Sequence, residues 1–180
     1  MPVTYTAHTP GSAIALFPAL VGLYAVVYAE PPYNEGPEQV AGFAKGLPGE
    51  TQRPGFRLVA ADDAGALIGA AYGWTMPAGR WWTRADTEPP AHVRNADKFA
   101  VMEWVVRPDR RGEGIGAELM RRLLDGRPEP WATLASNPAA PARAIYQRAG
   151  WQQVAGSAMP DGTPMHLLLL PLSPAPVQRR

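Results

Sequence analysis

Glu103-Trp104-Val105-Val106-Arg107-Pro108-Asp109-Arg110-Arg111-Gly112-Glu113-Gly114-Ile115-Gly116 is the stretch on which the fold turns. Residues 99–106 read as a strand, Pro108-Asp109 as a turn, and residues 114–124 as a helix whose apolar face is Ile115, Leu119, Met120 and Leu123. Gly112, Gly114 and Gly116 fall at alternate positions on the strand-to-helix junction. Residues without a Cβ let main-chain N–H groups turn inward and approach a ligand closely. A helix N-terminus adds unpaired donors and partial positive charge, which suit a diphosphate. Arg110 and Arg111 add full charges beside it.

Downstream, residues 131–135 read as a strand, 141–148 as a helix, and 151–154 and 165–170 as strands. Strand, helix and strand in this order imply a parallel crossover. Upstream, residues 56–61 and 66–75 suit strands, and Asp62-Asp63-Ala64-Gly65 between them predicts an antiparallel hairpin. A weak strand at 3–7 is followed by an apolar helix at 13–28. Ser12 is its predicted N-cap, Pro18 delays or kinks it, and Pro31-Pro32 stops it. Residues 38–47 predict a second helix closed by Pro48-Gly49, and 77–98 a long excursion carrying Trp81-Trp82. The class is therefore α/β, or α+β by stricter naming. We expect one domain over 1–172, with a mixed sheet of about six to seven strands and about four helices, then a flexible tail at 173–180.

The 180 residues carry 17 Lys and Arg against 16 Asp and Glu, a formal charge of +1, and no basic run suited to nucleic acid. Absence of cysteine removes disulfides and thiolate chemistry, and three scattered histidines give no metal-ligand spacing. The N-terminal residues lack the pattern of a secretion signal, and no apolar run is expected to reach the length of a bilayer span. A cytoplasmic location without membrane partners is the expectation.

Gly112, Gly114 and Ala117 also satisfy the looser G-x-G-x-x-A form of a dinucleotide fingerprint. The following strand ends in Ala135-Ser136-Asn137, without an acid for a ribose, which argues against that fold. The stretch quoted first instead resembles strand four, turn and helix three of the GNAT superfamily of N-acetyltransferases, with its Gln/Arg-x-x-Gly-x-Gly/Ala signature. Ala142-Arg143-Ala144-Ile145-Tyr146-Gln147-Arg148-Ala149-Gly150-Trp151 is similar to that family's Ala-x-x-Leu-Tyr-x-x-x-Gly-Phe segment. The resemblance implies acetyl-CoA as donor. By it, the main chain of Trp104, Val105 and Val106 would pair with the pantetheine arm, and Arg111, Gly112, Glu113, Gly114, Ile115, Gly116 and Ala117 would hold the diphosphate. Asn137 would reach the arm, although Asn137-Pro138 also reads as an ordinary turn.

Acyl transfer to an amine needs a neutral nitrogen, and an alkylammonium with a pKa near ~10.4 must first lose a proton. Glu103 is the carboxylate of an otherwise apolar strand, so burial should make it base-like; a strand-edge or salt-bridged residue is the other reading. Tyr146 holds the position of the family's general acid, though an aromatic on an amphipathic helix also reads as core. A main-chain N–H near Val105 would meet charge on the carbonyl oxygen. Tyr28, Tyr33, Trp81 and Trp82, with Tyr24, are the expected walls of the acceptor site, and Glu30, Glu35, Asp86 or Glu88 would suit a cationic amine. The acceptor is expected to be a small-molecule or peptide amine, and a homodimer is compatible. The alternative function is a non-catalytic acyl-CoA-binding sensor or interaction module.

Overall fold

Seven strands form one mixed sheet in the order β1-β2-β3-β4-β5-β7-β6 in the computed structural model, which describes residues 2–172. The strands are β1 (Thr4–His8), β2 (Arg57–Asp63), β3 (Ala66–Met76), β4 (Lys98–Val106), β5 (Trp131–Ser136), β6 (Gln152–Ala158) and β7 (Pro164–Pro171). Four described helices exceed one turn: α2 (Phe17–Tyr28), α3 (Pro37–Thr51), α5 (Ile115–Leu124) and α6 (Arg143–Arg148). Two single turns, α1 (Pro10–Ala13) and α4 (Ala91–Arg94), accompany them. The predicted tail at 173–180 lies outside the described residues.

Contacts divide the chain into two compact units. The first runs up to Trp74 and includes Val101–Asp125. Its sheet contains the β2–β3 hairpin, where Asp63 pairs with Ala66 and the two-residue turn is Ala64-Gly65, both at positive φ. Right-handed strand twist favours such a turn, and glycine takes its second position without penalty. Leu20, Leu23 and Val27 of α2 pack with Leu47 of α3, Leu58 and Ala60 of β2, and Ala70 and Tyr72 of β3. At Gly69 a Cβ would stand 3.0 Å from Leu119 Cδ1 and 3.3 Å from the Val105 carbonyl oxygen. Absence of that carbon lets α5 lie close against β3, which positions the helix N-terminus.

Three sequence expectations change here. Ser12 does not cap α2; its hydroxyl accepts from the Thr9 N–H (3.0 Å) at the head of α1, and a 3₁₀ turn, Ile14–Leu16, intervenes before Phe17. Pro18 thus sits in the first turn of α2, where its missing N–H costs no helical bond. Pro48 does not close the second helix, which continues to Thr51. It forfeits one bond near the end, and Thr51 Oγ1 donates to the Pro48 carbonyl (3.0 Å). Finally, Pro10–Tyr28 spans 19 residues at mean hydropathy 1.8, long and apolar enough to cross a bilayer by length and composition, where none was expected. Its Leu20, Leu23, Tyr24 and Val27 are buried in this unit's core, the use a core helix makes of the same composition.

The second unit comprises Thr75–Ala100 and the chain from Gly126 onward. Within it β4 runs parallel to β5, with Lys98, Phe99 and Ala100 opposite Trp131, Ala132 and Thr133. β7 is antiparallel to both β5 and β6. The excursion after β3 is tied down at Trp82 and Asp86. Trp82 Nε1 donates to Thr133 Oγ1 (3.0 Å), and Asp86 exchanges main-chain and side-chain bonds with Gly156 of β6. The fully buried Lys98 ammonium donates to the Ala96 carbonyl at 2.9 Å and to those of Arg94 and Val93 at 3.3 and 3.4 Å, closing the base of the excursion.

Candidate active site

In the first unit the junction between β4 and α5 is an open cradle. Gly112 and Gly114 have φ of 83° and 81°, and a Cβ at either position would meet no atom within 4 Å. The left-handed backbone there is open to glycine and costly to other residues. The first helical bond runs from the Glu118 N–H to the Gly114 carbonyl (3.1 Å), so the amides of Ile115, Gly116 and Ala117 precede the helical ladder. Gly116 serves packing as well. Trp104 Nε1 donates to its carbonyl (2.9 Å), and a Cβ would touch the indole at 3.4 Å.

The two arginines beside the cradle have different roles. Arg110 is committed to protein: it binds Asp63 at the end of β2 (2.7 Å) and Glu113 (2.9 Å), so it braces the turn rather than facing a ligand. Glu113, named from the sequence as a cradle residue, contributes its side chain to this brace. Arg111 pairs with Glu30 across an exposed 2.7 Å contact, the weaker kind of ion pair, which a diphosphate can displace.

Glu103 lies on β4 and its carboxylate accepts a hydrogen bond from the Tyr28 hydroxyl at 2.6 Å. The two are 75 positions apart, and no sequence periodicity joins them. Tyr28 contacts Tyr24 at 4.3 Å and Tyr33 edge-on at 4.7 Å between ring centroids, and Tyr24 stacks on Phe43 at 4.0 Å. Tyr24 in turn donates to Glu35 (2.5 Å), and Trp74 Nε1 donates to Glu50 (2.5 Å). Protein atoms crowd the Glu103 carboxyl, and desolvation pushes it up to about 8; the Tyr28 bond opposes the rise, while the charges of Glu35 and Glu50 add to it. Burial, then the Glu103 charge, raises the Tyr28 phenol well above its ordinary value, so it remains a donor. The salt-bridged reading of Glu103 finds no support: among the described residues no Lys or Arg pairs with it.

The second unit holds the other expected residues. Tyr146 is buried on α6, its ring 6.2 Å from Trp151 in an edge-on arrangement. Asn137 is buried after β5, and its Oδ1 accepts from the Ala139 N–H (2.9 Å), the ordinary turn foreseen as its second reading. Asn137 and Tyr146 nevertheless share a cavity of about 100 Å³ with Ser136, Arg143 and His166. His166 was missed from the sequence because a lone histidine on a strand carries no signal; pairing places it opposite Ser136 and Gly156. Trp81 is buried and Trp82 holds Thr133, so both expected acceptor tryptophans anchor the excursion within this unit. Of the carboxylates offered for a cationic amine, Glu30, Asp86 and Glu88 are tied to Arg111, Gly156 and Arg94, which leaves Glu35 in the tyrosine cluster.

A mixed seven-stranded sheet with a glycine cradle between its fourth strand and the next helix is the architecture of the acyl-CoA-dependent N-acyltransferases. The acetyltransferase (GNAT) family model matches residues 21–151, and the chain belongs to that family. It is an acyltransferase of this class. No curated protein sequence matches the chain. Among solved structures it is similar to aminoglycoside 6′-acetyltransferase type Ii, at 16% identity and a TM-score of 0.66 over 96% of this chain and 99% of that one. It is similar to the ribosomal-protein-S18-alanine N-acetyltransferase from Escherichia coli, at 16% and 0.61 over 99% of each. A PaiA N-acetyltransferase from Thermoplasma acidophilum, solved in complex with coenzyme A, aligns at 10% and 0.62 over 96% of this chain and 100% of that one. At such identities the likeness is one of fold.

Proposed function

We propose that the protein transfers an acetyl group from acetyl-CoA to a primary amine of a small molecule or peptide by direct attack within a ternary complex. The observation that carries this reading is Glu103, a desolvated carboxylate held by Tyr28 among aromatic rings, in the same unit as the open cradle. The cradle fits a diphosphate: amides at the head of a ten-residue helix are open, and no Cβ fills the space before Gly112 and Gly114. Arg111 and the main chain from Gly112 to Ala117 hold the diphosphate. Trp104, Val105 and Val106 lie beyond Lys98–Ala100, the β4 residues that pair with β5, and their main chain is assigned to the pantetheine arm.

Acetyl-CoA supplies the activated thioester. Glu103 takes one proton from the acceptor's ammonium and the neutral amine attacks, with Tyr28 and Tyr33 walling the acceptor. The nitrogen–carbon bond forms, the carbon–sulfur bond breaks, Val105 N–H faces the carbonyl oxygen, the Tyr146 hydroxyl protonates the departing sulfur, and the second proton shed by the acylated nitrogen restores the Tyr146 phenol. A cationic acceptor suits Glu35 and Glu50, whose described partners are the neutral donors Tyr24 and Trp74.

The test is free-thiol release from acetyl-CoA against a panel of polyamines, aminoglycosides, amino acids and peptides with free N-termini. Release with any amine, abolished in Glu103→Gln, supports the reading. CoA binding without release in any condition favours the non-catalytic sensor instead.

A further inference from the structure

Tyr28 does more than wall the acceptor. Its hydroxyl stands 2.6 Å from Glu103 Oε2 and is the one side-chain donor to that carboxylate among the described residues. The phenol has little freedom to turn elsewhere, since its ring is wedged between Tyr24 at 4.3 Å and Tyr33 at 4.7 Å. Tyr24 is itself fixed by the Glu35 bond and by stacking on Phe43. The Glu35 main chain is pinned too, its N–H donating to the Tyr28 carbonyl at 2.9 Å. Glu35, Tyr24, Tyr28 and Glu103 thus form a continuous chain of contacts from the loop after α2 to β4.

We propose that Tyr28 is the positioning residue of this acetyltransferase: it orients the Glu103 carboxylate and keeps it available as an acceptor of the amine's proton. The inference rests on the base role assigned to Glu103 above. Carboxylate oxygens rotate about their side-chain bonds, and a base must present one lone pair to the incoming N–H. A hydroxyl on Oε2 removes that freedom and leaves Oε1 for the substrate. It also favours the charged form of the acid. Two charges oppose it, Glu35 from the loop and Glu50 from α3; the phenols of Tyr24, Tyr33 and Tyr72 also face Glu103, whose charge raises them. Arg111 is the cation that faces Tyr33 and lowers its phenol against the rise from burial.

The test uses whole protein carrying ¹³C at glutamate carboxyl carbons, with the Glu103 resonance assigned from Glu103→Gln. Tyr28→Phe keeps the ring and removes only the hydroxyl. Loss of a hydrogen bond to a charged group should move the Glu103 midpoint up by about one to two pH units. The rising limb of kcat/KM, measured with the fastest amine of the panel, should move with it, and kcat should fall by more than acceptor KM rises. An unchanged carboxyl midpoint refutes the proposal for Tyr28 alone. A moved midpoint with an unmoved activity limb refutes Glu103 as the base, and with it the role given to Tyr28. Should the variant not fold, wild-type protein with ¹³C at the tyrosine Cζ decides: one tyrosine resonance must titrate in step with Glu103, and none doing so overturns the inference.

Discussion

Replacing Glu103 with glutamine removes a charge that the folded protein carries at a cost, and the cost has a distinctive pH dependence. The carboxyl ionises near 4.5 in the unfolded chain and is pushed up to about 8 in the fold. Between those values the native state keeps a proton that the unfolded chain has released. Stability therefore falls as pH rises, by about 1.4 kcal/mol per unit for this one group. Below 4.5 the residue contributes nothing to the balance; above about 8 both states are ionised and the penalty levels off at an upper limit of about 5 kcal/mol. A salt-bridged carboxylate would show the opposite sign. Glutamine retains the shape and the acceptor for the Tyr28 hydroxyl but does not titrate. Urea unfolding of both proteins at pH 5, 7 and 9 should show the variant gaining on the wild type by about 3 kcal/mol from pH 5 to 7. A further gain of about 1 to 2 kcal/mol should follow by pH 9. The change in the difference is the measured quantity, since any packing effect of the amide is the same at each pH. A difference that stays constant across the three conditions refutes the half-buried, proton-holding Glu103 on which the mechanism is built.

The same titration predicts that kcat/KM rises about tenfold per pH unit up to about 8 and then flattens, which initial rates across pH 6 to 9.5 would check. Tyr146→Phe should lower kcat about a hundredfold while CoA affinity, read by calorimetry, stays within about twofold; an unchanged kcat removes Tyr146 from the reaction. Gly114→Ala has room for its methyl but not the backbone freedom, so it should lose about 1 kcal/mol of stability and weaken CoA binding. Arg127→Met strands the buried Glu129, which Arg127 holds together with Thr75 while lying 4.0 Å above the Phe99 ring. Denaturant unfolding should register a loss of about 3 to 5 kcal/mol, and a second change of Glu129 to Met should recover much of it.

Legibility in the sequence followed the range of the interaction responsible. The hairpin, the glycine junction and the α5 apolar face are set by residues within a few positions of one another, and each was readable. Pro48 misled because its effect depends on how many bonds follow it: three residues from the helix end, it costs one bond instead of ending the helix. Side-chain roles at the site depended on longer range. Arg110 and Arg111 are equivalent in sequence, yet Asp63 at the end of β2 captures the first and leaves the second on an exposed, displaceable contact. Alternation along β4 marked Glu103 as facing inward but could not say that Tyr28 meets it there, because that depends on how α2 seats against β3.

The division of labour between the two arginines also bears on how the cradle works. A turn with glycines at φ of 83° and 81° is intrinsically loose, and a loose cradle would lose ordering entropy on gripping a diphosphate. Arg110 spans that turn, joining Glu113 inside it to Asp63 of the rigid hairpin, while Trp104 holds the Gly116 carbonyl from the strand side. The glycines supply an open main chain, and the flanking charges and indole hold that main chain in shape before a ligand arrives. On this reading Asp63→Asn, which removes the charge that holds Arg110 at 2.7 Å, should weaken CoA binding even though the amides of the cradle are untouched.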